Sequence, residues 1–207
     1  MTELNNRLYG GVGTDERVAQ RRQQLLQAGL EILGNPQGDA DLTLRTICAE
    51  ARLAQRYFYE SFTDKDEFAA AVFDWALNRV ITETEGALAS ATFRNGTRVG
   101  LSELVKVIAN DRRIGELLFS RHQVNAVIVA KRFESTATFV ALFSTQLLRD
   151  FRRDQVGRTP LLSHFVVGGV AQTLGAWLNG DVELSRQELI DELVDMLAAH
   201  GVGRQDS

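Results

Sequence analysis

Residues 43–68 read TLRTICAEARLAQRYFYESFTDKDEF, and the placement of apolar, small and capping residues in that run decides the fold. Thr43 can open a helix, because its hydroxyl oxygen accepts a hydrogen bond from an otherwise unpaired N–H of the first turn. Leu44, Ile47, Cys48 and Ala51 then share the inward side of a short helix. A tight turn around Ala51 to Leu53 leads into another helix, from about Ala54 to Phe62. Phe58 and Phe62 stand four apart, so they lie on one face, and that face is core. Thr63 and Asp64 interrupt the pattern. Asp64 caps a further helix through Phe68, Val72, Trp75 and Leu77.

Upstream, Val18, Leu25, Leu26, Gly29, Ile32 and Leu33 fall on one broad helical face from Asp15 onward. Gly34, Asn35, Pro36 and Gly38 stop it. Residues 1–14 hold Gly10, Gly11 and Gly13 without apolar periodicity and are expected to be a flexible arm. Downstream, helices are expected at about Thr97 to Asn110, Ile114 to His122, Asn125 to Phe151, Leu161 to Leu178 and Ser185 to His200, with a linker from Gln155 to Pro160. Ser185 and Glu188 form a capping box for the last one. The class is therefore all-α, with about nine helices. It divides into an arm (1–14), a three-helix unit (15–66) and a larger helical domain (67–207).

Composition excludes more than it identifies. Only 2 prolines occur in 207 residues, which suits long helices. Net charge is −4, and between Asp41 and Lys65 four basic residues face four acidic ones, so bulk charge lends nucleic-acid binding no support. Cys48 is the only cysteine, which rules out an internal disulfide and fits a cytoplasmic setting. Residues 1–14 lack the apolar core of a signal peptide. The most apolar stretch, Phe165 to Ala171, is short of the ~20 residues that a membrane span needs, so no membrane association is expected. His122, His164 and His200 are scattered without acidic partners at metal-ligand spacing, so no metal or cofactor is expected. Ser163 and His164 are adjacent, and neighbours on a helix point about 100° apart, so they form no catalytic pair.

Three short helices with a tight turn between the second and third have the layout of a helix-turn-helix, whose last helix enters a DNA major groove. The details are sharper. Phe58, Tyr59, Phe62, Lys65, Asp66 and Phe68 resemble the pattern of the TetR family: an apolar residue and Tyr, then Phe, then Lys, an acidic residue and an apolar anchor. The run from Arg56 to Phe62 is similar to a variant among actinobacterial members. The local resemblance covers roughly residues 17–75. Two positions depart from it: Arg52 stands where the turn often has Gly, and Ala54 where the recognition helix usually has a Ser or Thr cap.

What the resemblance implies is a non-enzymatic, ligand-responsive transcription regulator, most often a repressor, that binds a palindromic operator in double-stranded DNA as a homodimer. Gln55, Arg56 and Tyr57 would reach base edges, since Arg pairs bidentately with guanine and Gln with adenine. Tyr59, Lys65, Thr43, Arg45 and Arg22, with Arg21 beside it, would meet the phosphate backbone. The last two long helices would form the dimer, with Gly168, Ala171, Gly175, Leu189 and Leu193 at the interface. Each of those glycines costs a helix ~1 kcal/mol against Ala, which close approach of another helix would offset. An effector pocket would draw on Phe93, Phe119, His122, Phe139, Phe143 and Trp177 and take a small hydrophobic or amphipathic molecule. Two other classes stay open: an enzyme with an incidental three-helix unit, for which no convergent titratable cluster is visible, and a helical interaction protein that no longer binds DNA.

Overall fold

The computed structural model describes residues 6–36, 42–92, 95–150 and 159–199. Among the described residues there are nine helices and no strand: α1 (Asn6–Leu33), α2 (Leu44–Ala51), α3 (Gln55–Tyr59), α4 (Lys65–Ala89), α5 (Gly96–Asn110), α6 (Arg112–Phe119), α7 (Ala126–Asp150), α8 (Thr159–Leu178) and α9 (Arg186–Ala199). The all-α class and the order of elements match the sequence reading. Three ends differ. α1 begins at Asn6 rather than Asp15, so most of the expected arm is helical. That run has glycines but no proline, and glycine weakens the helical ladder without blocking it. α3 stops at Tyr59, short of Phe62. α8 starts at Thr159 with Pro160 in its first turn, where the missing N–H costs nothing. Gln37, Gly38, Phe93, His200 and residues 155–158 of the expected linker lie outside the described residues.

One core runs through the molecule. Leu25 and Leu30 of α1, Ile47 of α2, Phe58 of α3, and Phe68 and Phe73 of α4 are fully buried at one end. It continues through Ile108, Ile114, Leu117, Ile128 and Leu174. The α1 backbone at Gly29 lies directly on α4 side chains: a Cβ there would sit 2.3 Å from Val72 Cγ2 and 2.7 Å from Phe68 Cζ.

α6 is wedged between α1 and α8. Gly34 at the end of α1 lies so close to the Arg113 carbonyl that a Cβ would come within 2.5 Å of it, and Gly175 of α8 sits equally tightly on the Phe119 carbonyl, at 2.6 Å. Arg113 pairs with Glu31 on α1 and with Asp111, and the Gln123 amide donates to Leu33 O (2.8 Å). Arg132 of α7 holds the other end of α6. Its guanidinium donates to the carbonyls of Glu116 (2.8 Å), Leu117 (2.6 Å) and Ser120 (2.5 Å) at the C-terminal end of α6, where helix carbonyls run out of backbone partners; Glu116 O also accepts from Ser120 N–H (3.2 Å). Burial pulls its pKa down to about 10, so it remains charged at neutral pH.

The apolar stretch of α8 is longer than Phe165 to Ala171. Pro160–Leu178 is 19 residues with mean hydropathy 1.3, long and apolar enough to cross a bilayer, and only 28% of it is buried within the chain. The expectation that this segment is too short is corrected: the flanks of that stretch carry Leu161, Leu162, Leu174, Trp177 and Leu178. Much of this helix is left uncovered by its own chain.

Candidate nucleic-acid interface and an apolar cavity

α2 opens at Thr43 as its side chain dictates. The Thr43 hydroxyl accepts from the Thr46 N–H (3.1 Å), and the Thr46 hydroxyl accepts from the Thr43 N–H (3.0 Å). Thr43 is thus a structural cap, with its hydroxyl turned to α2 rather than to phosphate. The helix closes on Arg52, which adopts the left-handed region (φ 53°, ψ 39°). Arg52 N–H donates to Ala49 O (3.2 Å) and Leu53 N–H to Cys48 O (3.0 Å), the paired closure that a left-handed residue makes possible. Without glycine this costs ~1 kcal/mol, and the turn forms nonetheless. Ala54 stands at the start of α3 in extended conformation with no side-chain cap, so the N–H groups behind it face outward unsatisfied by any side chain of their own cap. Asp64 caps α4, accepting from the N–H groups of Asp66 (2.9 Å) and Glu67 (2.8 Å).

The outward face of this unit presents Gln55 and Arg56, which are exposed, and Tyr59, which is 60% exposed and rests edge-on against buried Phe58. Phe58, Phe62 and Phe68 pack together beneath with centroids 5.1–5.5 Å apart. Tyr57 is half-buried between two guanidinium groups: Arg21 and Arg56 each lie 4.6 Å from its ring centroid, and Arg56 donates to its hydroxyl (2.7 Å). Arg45 and Lys65 are exposed at the helix starts. Arg22 has internal partners. It donates to Ser61 O (2.9 Å) and lies 4.4 Å over the Phe62 ring, so it clamps α1 to the segment after α3. Arg21 likewise pairs with Glu60 (2.7 Å). These internal partners take the cations that sequence position alone would offer to DNA.

The larger domain holds a partly open cavity of about 470 Å³ lined by six helices, α4 to α9. Phe119, Phe139 and Phe143, three of the six aromatic and polar candidates, meet there. The other described candidates do not. His122 is exposed beside Arg121, and the Trp177 indole donates to Leu184 O (2.8 Å), tying down the α8–α9 connection. Sequence reasoning missed the aliphatic walls, among them Val80, Ile81 and Leu88 of α4 and Val166, Val170 and Leu174 of α8. Their signal was the excess of apolar positions on α4 and α8 over what a single packed face requires. Polar groups are few: Thr84, Thr97 and Glu85. The Thr84 hydroxyl is buried and has no hydrogen-bond partner.

The expected dimer residues divide. Leu189 (1% exposed) and Leu193 (5%) are buried in the chain's own core, because α9 lays its Leu face on α5. Gly175 is consumed by its approach to Phe119, and Ala171 lines the cavity. Gly168 alone is exposed with open space around it. On the same helix Leu161 (76%) and Phe165 (62%) are exposed, and Met196 (57%) is exposed on α9. Ser163 is buried against the Ser144 hydroxyl (2.7 Å) while His164 is exposed, so these neighbours point apart.

Solved structures share this arrangement. A TetR-like transcriptional regulator from Rhodococcus sp. RHA1 superposes with a TM-score of 0.68 at 20% identity, over 89% of this chain and 97% of the other. The fatty acid degradation regulator FadR from Bacillus halodurans superposes with a TM-score of 0.72 at 17% identity, over 86% and 94%. FadR from Bacillus subtilis in complex with stearoyl-CoA gives a TM-score of 0.67 at 18% identity, over 84% and 96%. No family model and no curated protein matches the sequence. The chain therefore has the fold of the TetR-like transcriptional regulators, along nearly the whole length of both partners in each comparison.

Proposed function

We propose that the chain is a TetR-type transcription regulator, most simply a repressor, that binds a palindromic operator as a homodimer and is released by a small molecule. The observation that carries this reading is the α2–α3 unit of a TetR-like fold presenting Gln55, Arg56 and Tyr59 outward from a helix that its aromatic underside holds rigidly. Residues 15–66 would be the DNA-binding unit and 67–207 the sensing and dimerising one. Arg45 and Lys65 would add backbone contacts, which position the protein without reading sequence.

The uncovered side of α8 supports the homodimer. Leu161, Phe165 and Gly168 give an apolar surface with a low point where a second helix can approach. A membrane is the poorer partner for it, because His164 and Gln172 are exposed on the same helix and would have to enter hydrocarbon. The cavity supports an apolar or amphipathic effector, as does the stearoyl-CoA held by the Bacillus subtilis regulator of similar fold. Effector and DNA would be coupled reciprocally: whatever factor the effector takes from DNA affinity, DNA takes from effector affinity. α6 is placed to carry that coupling, since it touches the cavity through Phe119 and α1 through Arg113.

Light scattering together with selection from a genomic-fragment library tests the reading. The expected result is a particle of twice 23.0 kDa and enrichment of an inverted repeat. Its half-sites should lie about one DNA turn apart, ~34–36 Å. A monomer, or a dimer that enriches no sequence, would sink it.

A further inference from the structure

Resting on the DNA-binding reading, we infer that Tyr57 is a positioning residue: it holds the Arg56 guanidinium ready for DNA and touches no base itself. Its sequence position offers Tyr57 to base edges, but its ring is half-buried, unlike its exposed neighbours Gln55 and Arg56. The ring is fixed from α1. The Glu60 carboxylate accepts from Arg21 Nε (3.1 Å) and Nη2 (2.7 Å), and the guanidinium held in this way lies over the Tyr57 ring, 4.6 Å from its centroid. Arg56 rests on the same residue twice, with its guanidinium 4.6 Å from the ring centroid and its Nη2 donating to the phenol oxygen (2.7 Å). The two arginines differ in what their partners do to their charge. Arg21 is neutralised by a carboxylate. Among the described residues Arg56 pairs with Tyr57 and with no carboxylate, so its charge is uncompensated. A ring and a hydroxyl orient a guanidinium without cancelling it. The hydroxyl occupies one of its several N–H groups and leaves others for a guanine edge or a phosphate. An exposed arginine otherwise has many rotamers to give up on binding, and holding it in place beforehand removes that part of the cost.

A double-mutant cycle in the full-length protein tests this. Wild type, Tyr57→Phe, Arg56→Ala and the combined variant are titrated by fluorescence anisotropy, at fixed salt, against a labelled duplex carrying the site that wild type enriches from the genomic library. Tyr57→Phe keeps the ring and deletes only the hydroxyl, so it should melt with wild type. It should bind about threefold to tenfold more weakly, the order expected when one long side chain must be ordered on binding. On the Arg56→Ala background the same change should have no effect, because the group it positions is gone. A tyrosine that only supports the fold, or one that contacts DNA itself, would weaken binding equally on both backgrounds. That result overturns the inference while leaving DNA binding intact. So does a Tyr57→Phe protein that binds as well as wild type or better, since the hydroxyl is then idle or competes with DNA for Arg56. A wild type that enriches no sequence brings down the DNA-binding reading, and this inference with it.

Discussion

The α2–α3 surface is made from consecutive residues between Thr43 and Lys65, whereas the cavity draws its walls from positions scattered between Val80 and Leu197. The first is a polar outer face on a small aromatic core, with the α2 and α4 starts capped by Thr43 and Asp64 and the α3 start left without a side-chain cap. The second is an absence of packing where six helices fail to close on one another. Under the proposed function, contact with DNA would depend on which side chains stand outward from a firm support, and contact with an effector on what the core leaves unfilled. The two regions share one apolar core, and polar contacts fasten α6 to α1 at its edge: Arg113 joins α6 to Glu31 and Gln123 reaches Leu33 O, while Gly29 lets α1 pack closely on Val72 and Phe68 of α4.

The largest expected effect breaks one region and spares the other. Phe58 is 2% exposed at the centre of the aromatic cluster, so Phe58→Ala should cost about 4 kcal/mol and abolish DNA binding. Leu174, also buried, already borders empty space. Leu174→Ala should cost about 2 kcal/mol, the low end for such a change, enlarge the cavity and leave DNA binding in place. Urea denaturation paired with DNA titration measures both. Equal losses of DNA affinity would deny that the regions are separable.

The polar contacts at α6 give the next effect. Asp111 accepts from Arg113 Nε (2.8 Å) and Nη2 (2.7 Å), and these hydrogen bonds hold its carboxyl below the usual carboxylate range. A carboxylate with a lowered folded-state pKa stabilises the protein above its ordinary pKa, and the contribution is lost as pH falls through the folded value. Asp111→Asn should therefore cost about 1 kcal/mol near neutral pH, and wild type and variant should converge as pH drops below the carboxylate range. A gap that persists in acid would show that Asp111 acts by packing rather than charge.

The smallest effects lie in the turn. Arg52→Gly should raise stability by up to about 1 kcal/mol, because glycine adopts φ 53° without steric cost. Ala54→Ser should add a similar amount by capping α3. Thermal melts resolve either. If Arg52→Gly instead destabilises, the Arg52 side chain supplies compensating contacts.

The contrast between the regions also decides what could be read from sequence. The Thr43 and Asp64 caps, the Phe58 and Phe62 core and the all-α order were legible because each depends on residues within one or two turns. The internal partners of Arg22, Ser61 O and the Phe62 ring, were not legible because they come from a segment distant in sequence. The cavity was legible only in its aromatics. His122 and Trp177 looked like lining residues by type, but which face of α8 points inward depends on α6 and α7, and Trp177 turns to Leu184 O instead. Leu189 and Leu193 were misassigned for the same reason: an apolar helix face does not say whether its cover is the same chain or another copy.

The central claim is that the exposed start of α3 reads DNA. Fluorescence anisotropy on DNA from the region upstream of the protein's own gene, at stated salt, compares wild type with Arg56→Ala plus Tyr59→Ala. Both side chains are exposed, so the double variant should melt with wild type. It should nevertheless lose at least about tenfold in affinity, the order expected for one base-reading Arg together with a backbone contact. Saturable, dimer-stoichiometric binding that the folded double variant loses is the predicted result; undiminished binding by that variant, or no sequence preference by wild type, would contradict the account.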